Sequence, residues 1–88
     1  MTIGAIAYVT RYKVTSKWSA RQTPFYAVVT NASARRGHPF EAVVLRPELG
    51  VEVCLNSDVD DFDWPSDDKI PPDVWAALVQ LKLKGTIT

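Results

Sequence analysis

Phe40-Glu41-Ala42-Val43-Val44-Leu45-Arg46-Pro47-Glu48-Leu49-Gly50-Val51-Glu52-Val53-Cys54-Leu55 is the stretch from which the fold class is read. Before the turn, Phe40, Ala42 and Val44 fall on one face and Glu41, Val43 and Leu45 on the other. After it, Val51, Val53 and Leu55 alternate with Glu52, Cys54 and Asn56. Period-two alternation on both sides of a four-residue break is the signature of a β-hairpin. Within the break, Pro47 presets its own φ and Gly50 tolerates positive φ, which is the chemistry a tight turn needs.

Two further strands are expected upstream. Residues 3–14 place Ile3, Ala5, Ala7 and Val9 on one face and Ile6, Tyr8, Thr10, Tyr12 and Val14 on the other. Both faces begin apolar, as in a central strand, and become mixed where Arg11 and Lys13 enter. Residues 25–30, Phe-Tyr-Ala-Val-Val-Thr, have strong β composition and are followed by turn chemistry between Asn31 and Pro39. Downstream, Pro71-Pro72-Asp73 announces a helix, because proline is tolerated in the first turn and an early aspartate complements the helix dipole. Val74, Trp75, Leu78, Val79 and Leu81 mark its apolar face, Lys82 and Lys84 its last turn, and Gly85 its C-terminal stop. Residues 80–87 also alternate with period two, so a final strand competes with the end of the helix.

Strands followed by one helix predict an α+β domain covering residues 1–88. It has an antiparallel sheet of about four strands (3–14, 25–30, 40–46 and 51–55) with one C-terminal helix (72–84) packed on a face. The alternative is a small β-barrel in which the tail closes the sheet.

The charge on this chain is sorted by position. Residues 1–46 hold seven basic side chains, Arg11, Lys13, Lys17, Arg21, Arg35, Arg36 and Arg46, against the single acid Glu41. Residues 47–88 hold three lysines against nine acids, six of which are aspartates packed between Asp58 and Asp68. Such asymmetry implies an electrostatic surface, satisfied within the molecule or by a partner. The net charge of zero argues against a nucleic-acid binder that works by overall basicity.

The acidic stretch does not read as a calcium loop. Asp58 and Asp60 begin the alternating ligand spacing, but Phe62 stands at the third ligand position, Asp63 stands where the glycine belongs, and no glutamate follows. What distinguishes the stretch is Phe62 and Trp64, two apart and flanked by aspartates, with Pro65 at the exit. The rings either fold down as a lid over the sheet or stand proud of an acidic rim, which is a usual form of binding hot spot. The second arrangement yields a partner-binding face made of Asp58, Asp60, Asp61, Phe62, Asp63, Trp64, Asp67 and Asp68, suited to a protein with a basic surface.

The basic half interleaves cations with aromatics. Tyr12, Lys13, Lys17, Trp18, Arg21, Arg35 and Arg36 are the residue types of a single-stranded nucleic-acid platform, although no RNP1-like run, GXXG clamp or helix-turn-helix accompanies them. Alternating Arg and Lys on strand ends equally serve to block edge pairing.

Catalytic motifs are absent. His38 is the only histidine and sits in turn sequence, and Cys54 falls within an alternating strand where packing is the expected fate. No phosphate loop, dinucleotide fingerprint or nucleophile elbow occurs. One cysteine excludes an internal disulfide framework and a multi-cysteine zinc site, and neither metal nor cofactor is implied. Ile3–Val9 is too short and too polar-flanked for a signal-peptide core, so a cytoplasmic protein is expected.

Together these features predict a small non-enzymatic protein-binding module, an inhibitor or regulator of the kind phages and mobile elements carry. It would dock on a basic or nucleic-acid-binding protein through the acidic, aromatic-bearing segment. Single-stranded nucleic-acid binding through the basic half is the alternative, and self-association of opposite charges a third.

Overall fold

The computed structural model describes residues 3–13, 20–21, 23–31 and 39–86. Strand β1 (Ile6–Lys13) pairs antiparallel with β3 (Phe25–Asn31), β3 with β4 (Phe40–Arg46), and β4 with β5 (Glu52–Leu55). A two-residue β2 (Ala20–Arg21) extends the sheet beside the end of β1, and β6 (Asp61–Asp63) also pairs with β1. Tyr8 and Val9 each have a partner in β3 and another in β6, so these two strands occupy opposite edges of β1.

That arrangement corrects the expected strand count. Among the described residues the sheet has five strands and the short β2, not about four, because residues 61–63 form a strand where the sequence reads as loop. Three residues flanked by aspartate carry almost no periodicity, and only their pairing with β1 makes them β. The barrel alternative is met half-way. Five residues, Asn56–Asp60, carry the chain from β5 at one side of the sheet to β6 beside β1 at the other. Asp60 donates to the Asn56 carbonyl within that span, so the link is a compact turn and not an extended crossing, and it joins the two sides because the sheet curls into a half-barrel.

Curling gives the sheet two buried faces. Inside the curl lie Ala7, Val9, Phe25, Ala27, Val29, Phe40, Ala42, Val44 and Leu55, with Tyr12 and Phe62 packed against them. On the other face Ile6, Val28, Val43 and Leu45 meet Ile70, Val74, Leu78 and Leu81. This explains the apolar character of both faces of β1. The phase changes between Val9 and Arg11, where a bulge leaves Thr10 out of the ladder and its hydroxyl donates to the Asp61 carbonyl at 3.0 Å. After the bulge, the even-numbered Tyr12 joins the cluster of Ala7 and Val9.

The expected hairpin is present. Val44 donates to the Val51 carbonyl at 2.7 Å, Gly50 donates to the Val44 carbonyl at 2.9 Å, and Gly50 adopts φ +89°. Helix α1 (Pro72–Leu83) begins with Pro72 in its first turn and ends in a Schellman motif. Gly85, at φ +76°, donates to the Lys82 carbonyl at 3.1 Å, and Thr86 donates to the Leu81 carbonyl at 3.0 Å. The C-terminal stop signal thus decides between helix and strand for the described tail. One expectation about the helix face fails. Val74, Leu78 and Leu81 are buried, but Val79 points outward and is 55% exposed. Among the described residues, no helix is long and apolar enough to cross a membrane.

Candidate functional site

The acidic segment is ordered by its own hydrogen bonds. Asn56 anchors the turn between β5 and β6. Its carbonyl accepts from Val59 at 3.1 Å and from Asp60 at 2.8 Å, and its Oδ1 accepts from the Asp58 N–H at 2.9 Å. The Asp60 carboxylate in turn accepts from the Asn56 N–H at 2.9 Å. Asp60 is only 4% exposed. This corrects its place in the expected contact face: it points inward and holds the turn, so a partner cannot reach it.

Beyond the turn, β6 alternates as its pairing dictates. Asp61 and Asp63 are exposed, while Phe62 between them leans into the curl. Asp61 is also spoken for, with the Arg11 Nε 3.0 Å from its Oδ2, both side chains remaining largely in solvent. The chain then leaves the sheet through Trp64 and Pro65 and makes one turn of 3₁₀ helix, Asp67–Lys69, which exposes Asp67 and Asp68.

Phe62 and Trp64 divide the two arrangements between them. Phe40, buried at the start of β4, is met edge-on by Phe62 at 5.6 Å between centroids, and Trp64 lies tilted over it at 6.0 Å. Phe62 and Trp64 are themselves perpendicular at 5.5 Å. Edge-to-face and offset contacts in this range fix ring orientation as well as bury area. Phe62 is half-buried, so it serves as lid, whereas Trp64 keeps 44% of its surface exposed. The site is therefore a rigid indole standing on an aromatic bed, with Asp63, Asp67 and Asp68 exposed along the same stretch of chain.

Among the described basic residues of the first half, Arg11, Lys13 and Arg21 belong to the adjoining ends of β1 and β2, and Arg46 stands apart at the end of β4. Arg11 faces Asp61. Arg46 pairs with Asp73 at the head of α1, 2.7 Å from Nη1 to Oδ2, and its guanidinium lies 5.2 Å from the centroid of the Tyr26 ring. The hydrogen bond from Arg46 holds the Asp73 carboxyl below the usual aspartate range, and the same bond raises Arg46 above the ordinary arginine value. Tyr12 packs edge-on against Phe25 at 5.9 Å and is half-buried, so only part of its ring is open to stacking. Lys13 and Arg21 lie on paired strands, with Arg21 opposite Tyr12. Lys17, Trp18, Arg35, Arg36 and His38 fall outside the described residues.

Cys54 is exposed rather than packed, because it sits opposite Glu41 on the face of β5 beyond the reach of the helix. An open cavity of about 290 Å³ is lined there by Tyr12, Thr30, Glu41, Ala42, Glu52, Val53 and Cys54. The alternation is as read, with Val53 and Leu55 turned to the inner cluster, and it is the expected packing of Cys54 that fails. Among the described residues, no three His, Cys, Asp or Glu side chains gather as a metal-binding group.

In comparisons with known proteins, no family model, curated protein or solved structure matches this chain.

Proposed function

We propose that the protein is a small, non-enzymatic protein-binding module, an inhibitor or regulator of phage or mobile-element type. It acts in the cytoplasm by docking on a basic or nucleic-acid-binding protein. The observation that carries this reading is the half-exposed Trp64, oriented by Phe40 and Phe62 and accompanied by exposed Asp63, Asp67 and Asp68. A pre-oriented indole loses little conformational freedom on binding, and the carboxylates around it favour a cationic surface and raise the rate of encounter. Asp58 and Asp61 extend the rim, with Asp61 held in place by Arg11.

The test is affinity capture from the native host. The unaltered chain is expected to retain a basic protein at low salt. Trp64→Ala, and separately the combination Asp63→Lys, Asp67→Lys and Asp68→Lys, are expected to lose it. Capture that survives both changes overturns the reading. Asp60 is left unaltered because its carboxylate belongs to the turn.

Single-stranded nucleic-acid binding is the second reading, favoured by the register that pairs Arg21 with Tyr12, itself one of the residues lining the cavity. A fluorescent oligonucleotide that shows no anisotropy change at low salt removes it.

A further inference from the structure

Helix α1 is apolar on the side that faces away from the sheet. Its inner side is complete, with Val74, Leu78 and Leu81 buried against β-sheet residues. Its outer side carries Ala76, Val79 and Leu83, and Leu83 is 83% exposed, the most exposed large apolar residue among those described. Trp75 borders this stripe, half-buried because one part of its ring packs against the inner cluster while the rest stays open. Exposed Asp73, Gln80 and Lys82 flank this stripe, so α1 carries a second, narrow apolar strip between polar borders, where a solvent-facing helix surface otherwise takes polar residues.

The stripe is self-complementary. At about 100° and 1.5 Å per residue, Trp75 and Leu83 lie about 40° to either side of Val79 and about 6 Å above and below it. A two-fold axis through Val79, perpendicular to the helix, therefore sets Trp75 of each chain against Leu83 of the other, with the two Val79 side chains in contact. The same operation is favoured by charge. Asp67 and Asp68 precede the helix and outnumber Lys69 there, while Lys82 and Lys84 close it. An antiparallel pair brings each acidic end to the other chain's basic end, whereas a parallel pair would set like charges together.

We infer that a second copy of this chain covers the outer face of α1, in an antiparallel helix pair centred on Val79. Two 12-residue helices present a contact about 18 Å long, below the size of a standard stable interface, so the dimer forms on concentration and dissociates on dilution. This inference rests on the apolar stripe and not on Trp64.

Sedimentation velocity over a concentration series tests it. The unaltered chain is expected to shift from monomer toward dimer as concentration rises. Val79→Lys and Leu83→Asp alter exposed positions that the monomer does not pack, and each is expected to weaken association by about tenfold or more while leaving the circular dichroism spectrum unchanged. Lys82→Glu with Lys84→Glu is expected to weaken it also, and adding Asp67→Lys with Asp68→Lys to restore it. A monomer at every soluble concentration overturns the inference and leaves the stripe to a different protein. Association unchanged by Val79→Lys and Leu83→Asp overturns it as well, and failure of the charge exchange to restore association overturns the antiparallel arrangement.

Discussion

Arg46 closes β4 with its guanidinium 2.7 Å from the Asp73 carboxylate, so the end of a strand in the basic half is tied to the first turn of the helix in the acidic half. Tyr26 stacks beneath Arg46, and Tyr8 lies 4.7 Å from Tyr26, which continues the contact across β3 to β1. The sorting of charge along the sequence is in this way partly consumed within the fold, at Arg46–Asp73 and again at Arg11–Asp61.

The Arg46 pair predicts a mild acid sensitivity. Folding lowers the Asp73 value, so its contribution is complete above the ordinary aspartate range and fades as pH falls through the folded-state value. Arg46 is raised, so its share is lost only above the arginine range. Thermal melts across acid pH are expected to show the unaltered chain losing its small advantage over Asp73→Asn as the pH drops. A constant difference between the two would disprove the linkage.

Asp60 and Asp61 are neighbours with opposite fates. Asp60→Ala removes the buried carboxylate that accepts from the Asn56 N–H across an otherwise exposed turn and is expected to cost about 1–3 kcal/mol in urea unfolding. Asp61→Ala loses an exposed ion pair and is expected to cost no more than about 1 kcal/mol. Equal effects would mean that the turn does not depend on its buried carboxylate.

Phe40 is the floor on which both outer rings rest. Phe40→Ala is expected to destabilise the fold by about 3–5 kcal/mol, within the range for removing a buried aromatic. Trp64→Ala is expected to leave the unfolding midpoint far less changed, since much of that ring is already in solvent. Equal losses from the two substitutions would show that Trp64 is a structural ring first and a contact residue second.

Gly50 lies where the hairpin tip reaches the helix. A Cβ added there would stand 3.9 Å from Leu81 Cδ2, an ordinary contact, so any cost of Gly50→Ala comes from its φ of +89°. A loss of about 1–2 kcal/mol is expected, and Gly50→Asn is expected to recover part of it. Equal stability of all three would show that the turn relaxes to another backbone conformation.

Where local chemistry and tertiary contact agree, the chain could be read directly. Pro47–Gly50 between alternating flanks, and Gly85 after a helical run, each name their own backbone conformation. Residues 61–63 could not be read so, because Asp-Phe-Asp becomes a strand only through β1. Asp60 resembles its aspartate neighbours in composition, and nothing local distinguishes a turn-holding carboxylate from a solvated one. For Val79, periodicity reports that the residue is apolar and not which side of the helix the sheet takes. Around Trp64 the sequence shows which rings and carboxylates are neighbours but not which of them face solvent, because that is decided by the buried Phe40 ring, far away in sequence.

The pairing of β1 with β6 has a consequence for the chain as it is made. Thr10 bonds to Asp61 across 51 residues, so β1 leaves the ribosome well before the strand it must pair with. Until then β1 offers an open hydrogen-bonding edge of apolar character, which is a template for unwanted pairing with other chains. Pairing with β3 shields one side early. The bulge at Thr10 interrupts the other, and Arg11 places a charge on it before its own partner exists.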